Sequence, residues 1–480
     1  MKQVIFLITL IFIMNSCYRE TKPPAPLLPL PSQSQLAWHD MEMNAFVHFT
    51  TNTFSGKEWG YGDEDPNIFN PTAMDAEQWI RTFKETGFKG VILTCKHHDG
   101  FCIWPSKFTD HSVKSSQWKD GKGDVVRDVA EACKKYGLKF GIYVSPWDRN
   151  HKAYGTPEYI EYYRNQIKEL FTNYGPIFEM WFDGANGGDG FYGGAKEKRS
   201  IDGSKYYDWP ATLNEIRTLE PAIIFFSDAG PGVRWVGNEK GIAGETNWNT
   251  ISTDTLFAGK AGIESLLNTG SENGTSWVPA EVDVSIRPGW FYHAEEDALV
   301  KSPERLFDIY LTSVGRGSTL LLNIPPDRRG LIHENDVAAL KGFKALRDSA
   351  FKNNLALSAI LEVSTTRGDA NEFSSAQLND RDPETFWSTD DDVVSGSVEI
   401  QMDEGKVIHY VVLQEYIPLG QRVRSFTIEA WVWNKWKPIS EGTTIGYKRI
   451  VQLPPTATQK IRITFQDAKA CLAISNIEIY

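Results

Sequence analysis

Short apolar runs between residues 43 and 324 alternate with longer stretches in which apolar residues recur every three or four positions, and a glycine often stands between the two. Asp75 caps one such stretch, with Ala76, Trp79, Ile80 and Phe83 on one face and Gly87 at its end, and a strand follows at 91–94. Asp124 opens the next, with Val126, Val129 and Cys133 in a stripe, Gly137 as the stop and a strand at 138–144. Thr156-Pro157 opens a third helix that ends at Gly175, and the apolar run 176–184 follows. With a first strand at 43–50, this grammar predicts right-handed βαβ crossovers and a parallel sheet. It continues with a helix near 205–219, strands at 222–227 and 280–285, a helix near 303–314, a strand at 319–324 and a polar helix over 333–352. Seven strands are assigned, and the irregular stretch 229–278 holds no assignable eighth. The expected fold is α/β: a (β/α)8-type barrel with a degenerate segment, spanning 35–352. An open doubly wound sheet is the alternative, but no glycine-rich dinucleotide fingerprint follows the first strand.

Beyond residue 353 the period drops to two, as in Val398, Ile400, Met402 and in Ile461, Ile463, Phe465, which predicts an antiparallel all-β sandwich over 353–480. The stretch 376–389 resembles the opening of discoidin-like modules, many of which bind carbohydrate. A structural or weakly sugar-binding domain is expected there, with Trp387 as readily core as platform.

The run 176–184 ends in Asp183-Gly184. Alternation along a strand puts Glu179, Trp181 and Asp183 on the face toward a barrel interior and Phe178, Met180 and Phe182 on the face toward the helices, with Asp183 at the C-terminal tip. Predicted strand ends and the loops after them also carry His48, Glu58, Trp59, His97, His98, Trp104 and Tyr143. Three histidines and an aspartate raise a catalytic metal as one reading. Adjacent His97 and His98 point apart on an extended chain, and no His-x-His or His-Glu-x-x-His spacing occurs, so no metal or other cofactor is expected. Glycoside hydrolysis is the second reading: it needs one carboxylate at the anomeric carbon and a second carboxyl group to protonate the leaving oxygen. Asp183 suits the first role. For the second, Glu239 and Glu245 both lie in the loop-rich segment after Asp228, and spacing does not choose between them.

A net charge of -12 argues against nucleic acid or an anionic membrane surface as the main partner. Sixteen Trp, eighteen Tyr and twenty-six Phe supply apolar platforms for sugar rings as well as core. Residues 1–17 have the layout of a secretory signal, one lysine and then an apolar run, ending at Ser16-Cys17 like a bacterial lipoprotein cleavage site. Lipidation at Cys17 and a periplasmic or outer-membrane-attached location follow as expectations, with the Pro-rich segment 18–34 as an extended spacer. Cys95, Cys102, Cys133 and Cys471 match no disulfide framework or zinc pattern; a Cys95–Cys102 pair is the alternative, and buried free thiols are expected.

His48-Phe49, Glu58-Trp59-Gly60, Lys96-His97-His98-Asp99-Gly100-Phe101, Tyr143 and Trp181-Phe182-Asp183-Gly184, in that order, resemble the α-L-fucosidases of glycoside hydrolase family 29. The resemblance covers roughly 35–350 and implies a retaining double displacement with Asp183 as the fucose-bearing nucleophile. It also implies that His48, Glu58, His97, His98 and Tyr143 line the fucose subsite, with Trp59 and Trp181 against its apolar parts. The segment from Arg234 to Glu239 resembles the branch selective for α-1,3- or α-1,4-linked fucose, which implies Arg234 as a substrate-binding residue and Glu239 as acid/base over Glu245. Trp290 would close the side facing the C5 methyl. The expected partners are fucosylated oligosaccharides or glycoconjugates, with a membrane involved only through the lipid anchor. A non-catalytic glycan-binding surface lipoprotein would keep the aromatic and histidine set without needing two carboxylates, and a metal-dependent hydrolase would be stopped by a chelator.

Overall fold

A computed structural model describes residues 21–480. Eight parallel strands close into a barrel: β1 Met43–Val47, β2 Gly90–Lys96, β3 Lys139–Val144, β4 Glu179–Trp181, β5 Ile224–Ser227, β6 Val233–Trp235, β7 Ala280–Ser285 and β8 Thr319–Asn323. Each strand pairs with its sequence neighbour, and β8 returns to β1. The eighth strand lies inside the segment that periodicity left unassigned. β6 is three residues long, and five residues rather than a helix bring the chain back from β5 to it. Neither feature leaves a sequence signal.

The helices are placed by their caps. Asp75 accepts from the Gln78 amide at the start of Ala76–Thr86, and Asp124 from Arg127 at the start of Val125–Tyr136; Gly87 and Gly137 close them in the left-handed conformation. One helix precedes the barrel: α1 Gln33–His39 opens with a capping box from Ser32. Its Gln35 amide donates to the carbonyls of Gly232 and Trp277, and its Trp38 ring packs among the inward-facing Phe46, Ile92, Tyr143, Trp181 and Phe226. The outer core, between strands and helices, holds Met180 and Phe182, so β4 alternates as its sequence predicts. Phe178 departs from that pattern. The strand begins only at Glu179, and the ring packs against the inner cluster instead.

The C-terminal sheet is antiparallel: β9 Ile360–Val363, β10 Trp387–Ser388, β11 Gly396–Glu415, β12 Val423–Val432, β13 Lys435–Gly442, β14 Arg449–Ala468 and β15 Ala473–Ile479, in the order β10-β15-β11-β14-β12-β13 with β9 on β11. Trp387 is fully buried and donates to the Thr365 carbonyl, so it is core. The described part of the Pro-rich segment is extended but docked: Arg367 donates to the Lys22 carbonyl, Arg422 to that of Ala25, and the Leu27 amide to Leu419. The signal and the Cys17 site lie outside the described residues. Cys95, Cys102, Cys133 and Cys471 are buried free thiols.

The two domains are bonded through several barrel segments, the loop 245–249 among them. Residues 245–249 receive the Gln421 amide at Asn247 O (3.0 Å) and Arg449 at Glu245 O (2.7 Å). The amides of Asn247 and Asn249 donate to Thr444 and Gln421, both at 2.8 Å. Lys448 pairs with Glu42, and Tyr447 donates to Asp40.

Candidate active site

The strand tips converge as a parallel barrel requires, with inward-facing residues at the C-terminal rim. Asp183 follows β4, about a quarter exposed. One carboxylate oxygen accepts from the Ala185 amide (2.6 Å) and the other from the Tyr143 hydroxyl (3.1 Å), while His98 Nε2 lies 3.7 Å away. Burial pushes its proton affinity up, and those two hydrogen bonds oppose the shift. The glycine after it is dictated by packing: a Cβ on Gly184 would collide with the Asp228 carboxylate, which is itself raised to about 6 by burial and by the charge of Asp183.

The motif from Lys96 to Phe101 divides its labour. Buried Lys96 pairs with Asp148 at 3.1 Å and donates to Gln166, and Asp99 accepts from the Thr51 hydroxyl and the Phe101 amide. Gly100, at φ +78, lies against Asp148 where a Cβ has no room. These residues hold a tight turn, closed by the Gly100 amide on the His97 carbonyl. The turn overrides the expectation that adjacent His97 and His98 diverge: their ring centroids are 4.1 Å apart. His98 Nδ1 pairs with Ser145 (2.7 Å) and His48 Nδ1 with Asn323 (2.8 Å), whereas buried His97 Nδ1 has no partner among the described residues. Burial lowers all three, His48 and His98 to about 3, so the cluster is neutral and offers hydrogen bonds rather than charge.

Aromatic rings wall the cluster. Trp181 stacks on Phe226 with centroids 4.1 Å apart, and Trp290 lies 5.4 Å from the His48 ring. Trp59 is half exposed and edge-on to His98 and Trp147. Glu58 accepts from the Trp290 and Phe291 amides and pairs with His293 at 2.6 Å, so it pins the loop carrying Trp290.

The two acid candidates sit in different settings. Glu239 is exposed in the loop that follows β6; partial burial of its carboxyl group, and then the charges of Asp183 and Glu58, push its proton affinity up. Glu245 faces away, three-quarters exposed and paired with Arg316, its carbonyl bonded to the sandwich.

Two expected site residues are not in the cluster. Trp104 is fully buried in the outer core, its indole donating to Glu169 at 2.9 Å. Arg234 is fully buried too: its guanidinium is consumed by the carbonyls of Leu267, Val278 and Trp248 and by the Asn247 amide oxygen, so it braces the loop instead of meeting solvent.

Other residues join the site unannounced. Asn323 links His48 to the Trp290 carbonyl and to Ser285. Deeper in the barrel, three carboxyl groups each accept an indole N–H: Glu179 from Trp38 (3.1 Å), Glu281 from Trp181 (3.0 Å) and Asp283 from Trp235 (2.8 Å). The signal for the last two was the alternation of Glu281, Asp283 and Ser285 with valines in one strand.

Known proteins match this architecture throughout. The α-L-fucosidase family model covers residues 27–345 and the F5/8 type C domain model covers 361–477. An Arabidopsis thaliana α-L-fucosidase 1 is 41% identical over 98% of this chain and 90% of its own. A solved glycoside hydrolase family 29 member from an unknown rumen bacterium has a TM-score of 0.85 at 44% identity, over 95% of this chain and 78% of that one. A Ruminococcus gnavus family 29 fucosidase solved with fucose has a TM-score of 0.86 at 34% identity, over 96% of both chains. The chain belongs to the α-L-fucosidase family of glycoside hydrolases, family 29, and is an enzyme of that class.

Proposed function

We propose that this enzyme is a retaining exo-α-L-fucosidase that releases terminal α-1,3- or α-1,4-linked fucose from branched glycans. The observation that carries the reading is a pair of carboxyl groups in unlike settings: Asp183, braced by Tyr143 and the Ala185 amide, and rim Glu239, whose proton is favoured by the charge of Asp183. Two carboxyl groups in unlike settings can divide the roles of nucleophile and acid.

In the first step an Asp183 oxygen attacks the anomeric carbon, the bond to the leaving oxygen breaks, and the Glu239 proton passes to that oxygen. In the second, Glu239 takes a proton from water, the water oxygen bonds to the same carbon, and the Asp183 ester is released. Neutral His48, His97 and His98 suit hydroxyl groups, and Trp59, Trp181 and Trp290 suit the apolar edge of the sugar and its methyl group. The linkage preference rests on the segment leading to Glu239. Export, with lipid attached at Cys17, belongs to the same proposal and rests on the pattern of residues 1–17.

Fucoside panels with α-1,2, α-1,3, α-1,4 and α-1,6 linkages, followed by NMR of the fucose first released, test both halves. Cleavage of the α-1,3 and α-1,4 members with α-fucose appearing first is expected. Activity confined to α-1,2 or α-1,6 linkages would sink the preference, and β-fucose appearing first would sink retention.

A further inference from the structure

The residues assigned to fucose do not go all the way round the rim. His48 follows β1, His97 and His98 follow β2, Tyr143 lies in β3, and Trp290 sits in the loop after β7. Asp183 follows β4, and Glu239 lies in the loop after β6. Between the strands that deliver those two carboxyl groups the barrel places a single strand, β5, and the residue at its tip is Asp228. With fucose against the β1–β4 arc, its anomeric carbon at Asp183 and its leaving oxygen toward Glu239, the β5 sector is left for the glycan that carried the fucose.

Backbone packing holds Asp228 in that sector. Its Oδ2 accepts from the Gly259 amide at 2.7 Å, and no side chain of the described residues donates to either oxygen or pairs with the carboxylate. Two glycines make room for it. A Cβ on Gly184 would lie 2.1 Å from Oδ2, and one on Gly259, at φ +78, would lie 2.4 Å from both the Gly184 carbonyl oxygen and Asn186 Nδ2. Asn186 in turn donates to that carbonyl at 2.8 Å. The turn after the nucleophile, the tip of β5 and the loop through Gly259 are thus interlocked around one carboxylate that stays partly exposed.

A brace does not require a charge. An asparagine oxygen would satisfy the Gly259 amide without setting a second carboxylate against the residue that follows Asp183. Burial and the charge of Asp183 both oppose ionisation here, so the acid is kept at a cost, with acceptor capacity that the protein's side chains leave unused. We propose that Asp228 is a specificity-determining residue of the leaving-group subsite, where it accepts a hydrogen bond from a hydroxyl group of the glycan beyond the fucosidic bond. The proposal rests on the reading of Asp183 as nucleophile and Glu239 as acid/base.

The test compares kcat/KM on an α-1,3- or α-1,4-fucosylated oligosaccharide with kcat/KM on an aryl fucoside, whose leaving group carries no sugar hydroxyl. Asp228→Asn keeps one oxygen for the Gly259 amide and turns the other position into a donor, and Asp228→Ala removes both. In each, the ratio of the two constants should fall about tenfold or more, as loss of a hydrogen bond to a charged group implies. An unchanged ratio in the folded variants would overturn the proposal, and so would an equal loss on both substrates, which marks a brace of the nucleophile's turn and nothing more. A second measurement uses the parent enzyme on oligosaccharides whose leaving-side hydroxyl groups are removed one at a time. One of these should be slowed about tenfold in the parent and less than about twofold further in the variants; if none is slowed, the proposal fails. Asp183→Ala and Glu239→Ala, run beside them, keep the two readings apart. If either retains parent activity on the oligosaccharide, the catalytic reading fails; if both lose it while the Asp228 ratio stays put, this inference alone fails.

Discussion

Glu179 and Asp183 face the same interior from the same strand, four residues apart, yet they occupy different chemical worlds. Glu179 is buried beside Trp38 and Glu281, with one oxygen left without a partner among the described residues, and its proton affinity is raised to about 8 by burial. Asp183, just past the C-terminal end of the strand, is about a quarter exposed and receives both an amide and a phenol hydroxyl. Height along one strand thus decides whether a carboxyl group stores a proton or meets a substrate. Deep burial with a single indole donor favours the neutral acid at Glu179, whereas at Asp183 an amide and a hydroxyl donor oppose the upward push of burial.

The largest expected effect breaks the upper half of this contrast. Asp183→Ala should lower kcat on the order of 10^4-fold or more, with azide restoring turnover of an aryl fucoside as an external nucleophile. Residual activity near the parent's would remove Asp183 from the reaction. A smaller effect sharpens the lower half. Because folded Glu179 holds its proton to about 8 against an ordinary 4.5, its contribution to stability is complete below pH 4.5 and is lost as pH rises toward 8. Calorimetry should show a parent Tm that declines across that window more steeply than the Tm of Glu179→Gln. Equal slopes would mean that the lower carboxyl group is not the proton store described. The smallest effect concerns Glu245, three-quarters exposed and paired with Arg316. Its replacement by Ala should change kcat/KM less than about twofold and stability by no more than about 1 kcal/mol, measured by initial rates and denaturant titration.

What could be read from the chain follows from what leaves a period behind. The helix caps, the alternation of β4 and the change of period near 353 are local, and all are found in the structure. The three-residue β6 is too short to carry a period, and the divergence expected of His97 and His98 assumed an extended chain where the Asp99 and Gly100 contacts impose a turn. Arg234 and Trp104 were read as rim groups because a guanidinium or an indole looks the same in a sequence whether it meets solvent or buried carbonyls. Asn323 escaped notice at the end of a leucine run, where its role depends on three partners distant in sequence. The inward carboxyl groups Glu281 and Asp283 were legible as a polar stripe, but their indole partners were not.

The hydrogen bonds that join the sandwich to residues 245–249 bear on how this protein can be inherited and rebuilt. They grip the downstream end of the very segment that carries Glu239, so the C-terminal domain serves as a splint for the barrel's most irregular connection. Such a domain is not a detachable accessory. A foreign sandwich grafted at residue 353 would have to reproduce Gln421, Thr444 and Arg449 along its docking edge, and recombination that separates the two halves is expected to leave a barrel whose Glu239 loop lacks its far anchor.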